Sequence, residues 1–136
     1  MKIDLEKIKR LPPDVRKEFM KTYLQFTEKK KEAGIREDFM KFVKHVWPDF
    51  VEGSHHKIVA EKFNQIAEGK IKRLIINMPP RHTKSEFASY LLPAWMVGRN
   101  PKLKIIQSTN TTELSVRFGR KAKQLLDSQE YQSVFK

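Results

Sequence analysis

IINMPPRHTKS, residues 75–85, sets a β-branched apolar run directly before a Lys-Ser pair. This is the order in which a nucleotide-binding protein brings a loop beneath phosphates. The common form of such a loop is G-x-x-x-x-G-K-[ST], placed between a strand and a helix. Counting back from Lys84, Met78 and Thr83 occupy the two glycine positions. The stretch is therefore a modified P-loop candidate, and its support has to come from what flanks it.

Before the loop, KRLIIN at residues 72–77 is apolar and short enough for a buried strand, and after it SEFASYLL at residues 85–92 has helical spacing. Free N–H groups at a helix start point toward the bend, where they bind phosphate oxygens with help from the helix terminus. In that arrangement the Lys84 ammonium neutralises the β- and γ-phosphates, and the Ser85 hydroxyl helps to hold Mg²⁺. Arg81 is a further phosphate candidate, because its planar donor fork suits oxyanions. Thr83 departs from the glycine that normally gives this bend its freedom. Pro79 and Pro80 restrict the preceding chain, so a rigid loop replaces a permissive one. A plain proline turn before a helix has the same letters, and that alternative stays open.

A second apolar run, LKIIQST at residues 103–109, follows at the spacing of a strand-helix-strand unit, which leads us to expect a parallel pair and an α/β fold. TTELSVRFGRKAKQLL, residues 111–126, reads as a helix with Leu114, Phe118, Ala122 and Leu125 facing inward and Thr111 or Thr112 as its cap. Ser108, Thr109 and Asn110 fall where ligand-binding loops of open α/β sheets collect, or form a solvated connection.

Upstream, three helices are expected at about residues 14–32, 36–46 and 54–68. Val15, Phe19, Tyr23 and Phe26 make an apolar stripe on the first, entered at Pro12 and Pro13, and Gly34 separates it from the second. Phe39, Phe42, Val43 and Val46 pack the second, and Trp47 and Phe50 extend its apolar surface through Pro48. Ser54 is the expected cap of the third, with Ile58, Val59, the Lys62 stem, Phe63 and Ile66 inward and Gly69 as its stop. His55 and His56 either contact a nucleotide base or support the junction, and no cysteine or nearby carboxylate cluster completes a metal-ligand pattern.

The chain has 136 residues, enough for one modest core. It has no cysteine and no signal-peptide pattern or long apolar segment, so disulfide stapling is excluded and an intracellular protein without a membrane span is the expectation. Its formal charge of +12 attracts nucleic acid, anionic membrane or acidic protein without choosing among them. Residues 1–50 hold 13 basic and 9 acidic side chains and residues 51–136 hold 15 and 7, so the nucleotide-like part carries most of the excess. Lys70, Lys72, Arg73, Arg99, Lys102 and Lys104 gather near the expected strand starts, and Arg117, Arg120, Lys121 and Lys123 follow the last long helix. No sequence-specific DNA motif accompanies them.

From Trp47 to Phe135, and most specifically in RLIINMPPRHTKSEFASYLLPAW at residues 73–95, the chain resembles the large subunit of tailed-phage DNA-packaging terminases. The resemblance implies a RecA-like ATPase domain followed by a metal-dependent nuclease domain, with ATP and Mg²⁺ as cofactors. It also implies a homo-oligomeric ring acting on double-stranded DNA with a portal protein and a small terminase subunit, in the host cytoplasm during viral assembly and away from membranes. PPRHTKS looks like the family's variant P-loop: Pro80, Arg81, His82, Thr83, Lys84 and Ser85 correspond to nucleotide-binding positions, Arg81 and Lys84 to catalytic ones and Ser85 to the metal site. The segment with His55 and His56 looks like the family's adenine-side region, Tyr90, Pro93 and Trp95 like packing positions, and residues 108–114 like its coupling loop.

No apolar run ending in Asp-Glu follows residue 109, although that arrangement would complete Mg²⁺ binding and activate water. The expectation is therefore an N-terminal fragment with a helical region over 1–50 and a partial ATPase domain over 51–136, formed as an incomplete RecA-like core with parallel strands. Weak nucleotide affinity with little or no hydrolysis is the expectation for it. The alternatives are a non-enzymatic basic module that binds DNA or protein, or another P-loop enzyme.

Overall fold

A computed structural model describes residues 12–135. Every regular element among them is helical: α1 Pro13–Glu37, α2 Phe39–Val46, α3 Ser54–Ala67, α4 Lys84–Glu86, a π-type turn Phe87–Leu91, α5 Leu92–Arg99, α6 Thr112–Leu126 and α7 Gln129–Val134. The chain divides after Ala33 into two units. The part of the expected 1–50 region that precedes Pro12 lies outside the described residues. No helix among the described residues is long and apolar enough to cross a membrane.

In the first unit the expected apolar stripe forms but stays largely open, with Val15, Phe19, Met20, Leu24 and Phe26 exposed. Phe19 and Tyr23 stack one helical turn apart. α1 continues through Gly34, contrary to the expected break there, and the boundary falls at Asp38. Asp38 is extended, and its carboxylate accepts the Lys41 N–H at 2.8 Å, which starts α2. Asn64 of α3 joins this cap, with Nδ2 donating to Asp38 and Oδ1 accepting from the Phe39 N–H.

The second unit is organised around Phe39. Its ring meets Phe63 of α3, Phe87 of the π-type turn and Trp95 of α5 edge-on at centroid distances of 5.0, 5.4 and 5.5 Å. Such edge-to-face pairs add about 0.5–1.5 kcal/mol each beyond the area they bury. Trp95 satisfies its indole N–H on the Ile35 carbonyl, and Tyr131 of α7 donates its hydroxyl to the Ala94 carbonyl at 2.9 Å. Burial pushes the Tyr131 phenol up to about 12, so it remains a donor throughout the neutral range. Gly98 permits this closure, since a Cβ there would stand 2.6 Å from the Tyr131 hydroxyl and the Phe135 ring.

The expected α/β class, an incomplete RecA-like core with parallel strands, is not what the chain forms. Residues 73–79 and 103–109 are neither helix nor strand, and no backbone hydrogen bond joins them among the described residues. Leu74 and Ile76 pack against the helical core, whereas Ile75 is 87% and Ile106 96% exposed. Alternation along an apolar run is a local property, but a strand exists only when a neighbour shares its ladder, and here helix packing fixes one face of the first run without supplying that neighbour.

Phe39→Ala is expected to lower unfolding stability by about 3–5 kcal/mol and Ile106→Ala by less than about 0.5 kcal/mol. Urea denaturation of the two variants checks this contrast, which a buried sheet carrying Ile106 would reverse.

Candidate phosphate-binding loop

The loop leads from the extended run into a continuous helical segment, residues 84–99, made of α4, the π-type turn and α5. The widened turn lies directly before Pro93, which lacks an N–H and whose ring crowds the carbonyl one turn earlier. At the other end Thr83 is the N-cap, and its carbonyl accepts the first helical bond from the Phe87 N–H at 2.9 Å. The N–H groups of Lys84, Ser85 and Glu86 precede that bond and have no partner within the helix.

Arg81 and Thr83 are left-handed, at φ 65° and 56°, and they are the only non-glycine residues with positive φ among those described. Each costs about 1–2 kcal/mol relative to right-handed backbone. Two left-handed residues separated by one of ordinary sign turn successive N–H groups toward a common concavity, the geometry of anion-binding nests. Thr83 thus takes the conformation for which the glycine of the common motif is suited. Sequence reasoning treats Thr83 as a departure, because a β-branched residue gives no local signal for this conformation.

The compensation comes from outside the loop. Gly53 donates its N–H to His56 Nδ1 at 2.9 Å, so that nitrogen is the acceptor and the proton of the neutral ring sits on Nε2. Nε2 lies 2.6 Å from Thr83 Oγ1, which donates in turn to the His82 carbonyl at 2.7 Å. His82 Nδ1 lies 2.9 Å from the Pro80 carbonyl and must carry the proton of that bond. Gly53, rather than Ser54, caps α3. A Cβ on Gly53 would press on the His55 ring at 2.8 Å, so glycine is needed for this approach.

His56 is only 7% exposed and packs against the Phe50 and Phe87 rings, which also touch each other. Burial, and secondarily the neighbouring His55, hold its pKa below the ordinary imidazole value, with Glu52 opposing and His82 adding to the depression. His55 stacks beside it with ring centroids 3.8 Å apart. The His55 Nε2 is buried and has no hydrogen-bond partner among the described residues. His55, Met78 and the apolar side chains Val59, Leu74 and Ile76 line a slot of about 250 Å³ beside the loop. Ile58, expected to face inward, lines this slot's rim at 62% exposure.

Lys84 and Ser85 are exposed at the helix start, and Lys84 Nζ reaches back to the Met78 carbonyl at 3.5 Å. Arg81 and Pro80 are also exposed. Neither Arg81 nor Lys84 makes an ion pair among the described residues, whereas Glu86 lies 3.8 Å from Lys121 of α6. The structure therefore brings His55, His56, Pro80, Arg81, His82, Thr83, Lys84 and Ser85 into one neighbourhood. It does not bring in residues 108–110: Thr109 bonds locally to the Thr111 carbonyl, and no hydrogen bond links this segment to the loop among the described residues. Trp95 is fully buried and Tyr90 and Pro93 are half-buried, in packing positions. No cluster of three or more His, Cys, Asp or Glu side chains suited to a metal occurs among the described residues.

Because the His56 pKa is depressed in the fold, the unfolded chain takes up the proton first as pH falls. Its contribution to stability is therefore full above about pH 6.5 and is lost as pH drops below that value. Chemical denaturation at pH 7.5 and pH 5.5 should show wild type losing more stability on acidification than His56→Gln; equal losses would contradict the assignment.

Comparison with known proteins gives no match to a family model, to a curated protein or to a solved structure. The functional reading is carried by the residues and geometry of the loop.

Proposed function

We propose that residues 79–85 bind the phosphates of a nucleoside triphosphate. The observation that carries this reading is the pair of left-handed residues, Arg81 and Thr83, leading into the free N–H groups of a helical segment with Lys84 and Ser85 at its first two positions. Such a backbone suits an anion, and Arg81 and Lys84 beside it make no ion pair among the described residues.

Lys84 swings from the Met78 carbonyl onto the β- and γ-phosphates, Arg81 adds a planar donor fork, and the Ser85 hydroxyl is a ligand for Mg²⁺. The metal, when bound, neutralises phosphate charge. The slot beside His55, with its unpartnered Nε2, suits a heteroaromatic base. On the resemblance of residues 73–95 to terminase large subunits, the nucleotide is ATP and the setting is a viral motor that drives double-stranded DNA into a capsid. The portal, the small subunit and a ring of copies are its partners within that proposal, and the nuclease activity belongs to a separate domain.

One observation favours the alternative of a basic interaction module: Arg117 and Arg120 are exposed on the same face of α6 without an ion pair among the described residues. The two readings separate in one titration. Calorimetry with Mg²⁺ and a non-hydrolysable ATP analogue should give binding that Lys84→Ala weakens about tenfold or more, the scale of a lost charge-assisted contact. Binding of DNA alone, salt-dependent and indifferent to Lys84→Ala, would favour the basic module instead.

A further inference from the structure

We infer that His56 is a positioning residue whose neutral imidazole holds Thr83 left-handed, supplying through side-chain bonds the backbone geometry that glycine supplies in the common loop. The inference rests on the phosphate-binding reading for its consequence, but the clasp itself is a property of the fold.

Three hydrogen bonds run in one direction, from the Gly53 N–H through His56 and the Thr83 hydroxyl to the His82 carbonyl, and a separate bond ties the His82 ring to the Pro80 carbonyl. Each donor in this relay has one acceptor, and the order is fixed by the first member, a backbone N–H that can only donate. Among the described residues, His56 is the one distant in sequence that bonds the Thr83 side chain, from 27 positions away. Its ring is immobilised by Phe50 and Phe87, at centroid distances of 4.8 and 5.2 Å, so the position of Nε2 is set by the core rather than by the loop. The bond therefore transmits the rigidity of the aromatic cluster to the residue immediately before Lys84.

Protonation breaks the relay at its root, the Gly53–His56 bond, while Nε2–H remains a donor to Thr83. An imidazolium has two donors, so its Nδ1–H would face the Gly53 N–H. The titratable groups facing the ring are Glu52, which favours the proton, and His55 and His82, which oppose it; Glu52 is itself engaged by Lys44. The Gly53 anchor of the ring is therefore intact at neutral pH and lost on acidification, which loosens the His56 hold on Thr83.

The test uses the full 136-residue chain, with inorganic tripolyphosphate and Mg²⁺ as the probe and backbone amide spectra of residues 82–85 as a ligand-independent readout. At pH 7.5, His56→Ala and Thr83→Val should each weaken tripolyphosphate binding about tenfold, and Thr83→Gly placed in the His56→Ala chain should recover most of that loss. His56→Gln, which keeps a donor but does not titrate, should bind more tightly than His56→Ala. The ratio of wild-type to His56→Gln affinity should fall as pH goes from 7.5 to 5.5, a comparison that cancels protonation of the probe. A double variant no tighter than His56→Ala, or a ratio that stays constant with pH, would overturn the inference. If no chain binds tripolyphosphate, the phosphate reading fails by itself. The clasp is then judged on the amide signals of Thr83, Lys84 and Ser85, which should move further with pH in wild type than in His56→Gln, where His55 and His82 remain, and it is overturned if the two chains titrate alike.

Discussion

Burial of Phe39 is the contact on which the second unit depends. Its ring is in edge-on contact with residues from α3, the π-type turn and α5, and it lies next to Phe42, which in turn meets Tyr131 and Phe135 at the far end of the chain. Short helices of eight, five and six residues are too brief to hold themselves in water. They persist because each contributes a large aromatic or aliphatic side chain to one cluster, so the cost of ordering the backbone is offset jointly rather than helix by helix.

The same cluster fixes the loop. Phe87 packs on Phe39 on one side and on Phe50 and His56 on the other, which makes it the hinge between core and candidate site. The π-type turn that begins at Phe87 absorbs the disruption caused by Pro93, so the start of the helical segment is not displaced by it. Strain at Arg81 and Thr83 is thus held from two directions, by the helix that begins at Lys84 and by the histidine that the aromatic rings immobilise. This pattern is common where function requires a sparsely populated backbone conformation.

Much of the helical framework was legible in the sequence, because apolar spacing and punctuating residues act locally. The observed helices α1, α2 and α3 lie within a few residues of the expected ranges, Gly69 at φ 75° ends α3, and Thr111 caps α6 by accepting the Leu114 N–H. Errors arose where the outcome depends on a distant partner. The runs at 73–79 and 103–109 have strand-like alternation but no shared ladder, Gly34 is carried within α1, and Ile58 is turned to solvent. For the site, the residue types around Lys84 were readable, but the clasp was not, since nothing in the spacing of residues 53, 56 and 83 announces a bond across that separation.

The central claim is that a left-handed, histidine-braced loop presents its donors to phosphate. A crystal structure grown with Mg²⁺ and a non-hydrolysable ATP analogue tests it most directly. The account predicts a triphosphate against the N–H groups at the start of the 84–99 helical segment, with Lys84 released from the Met78 carbonyl and Thr83 still bonded to His56. Nucleotide seated elsewhere, for instance along Arg117 and Arg120, with Lys84 still on the Met78 carbonyl, would contradict it.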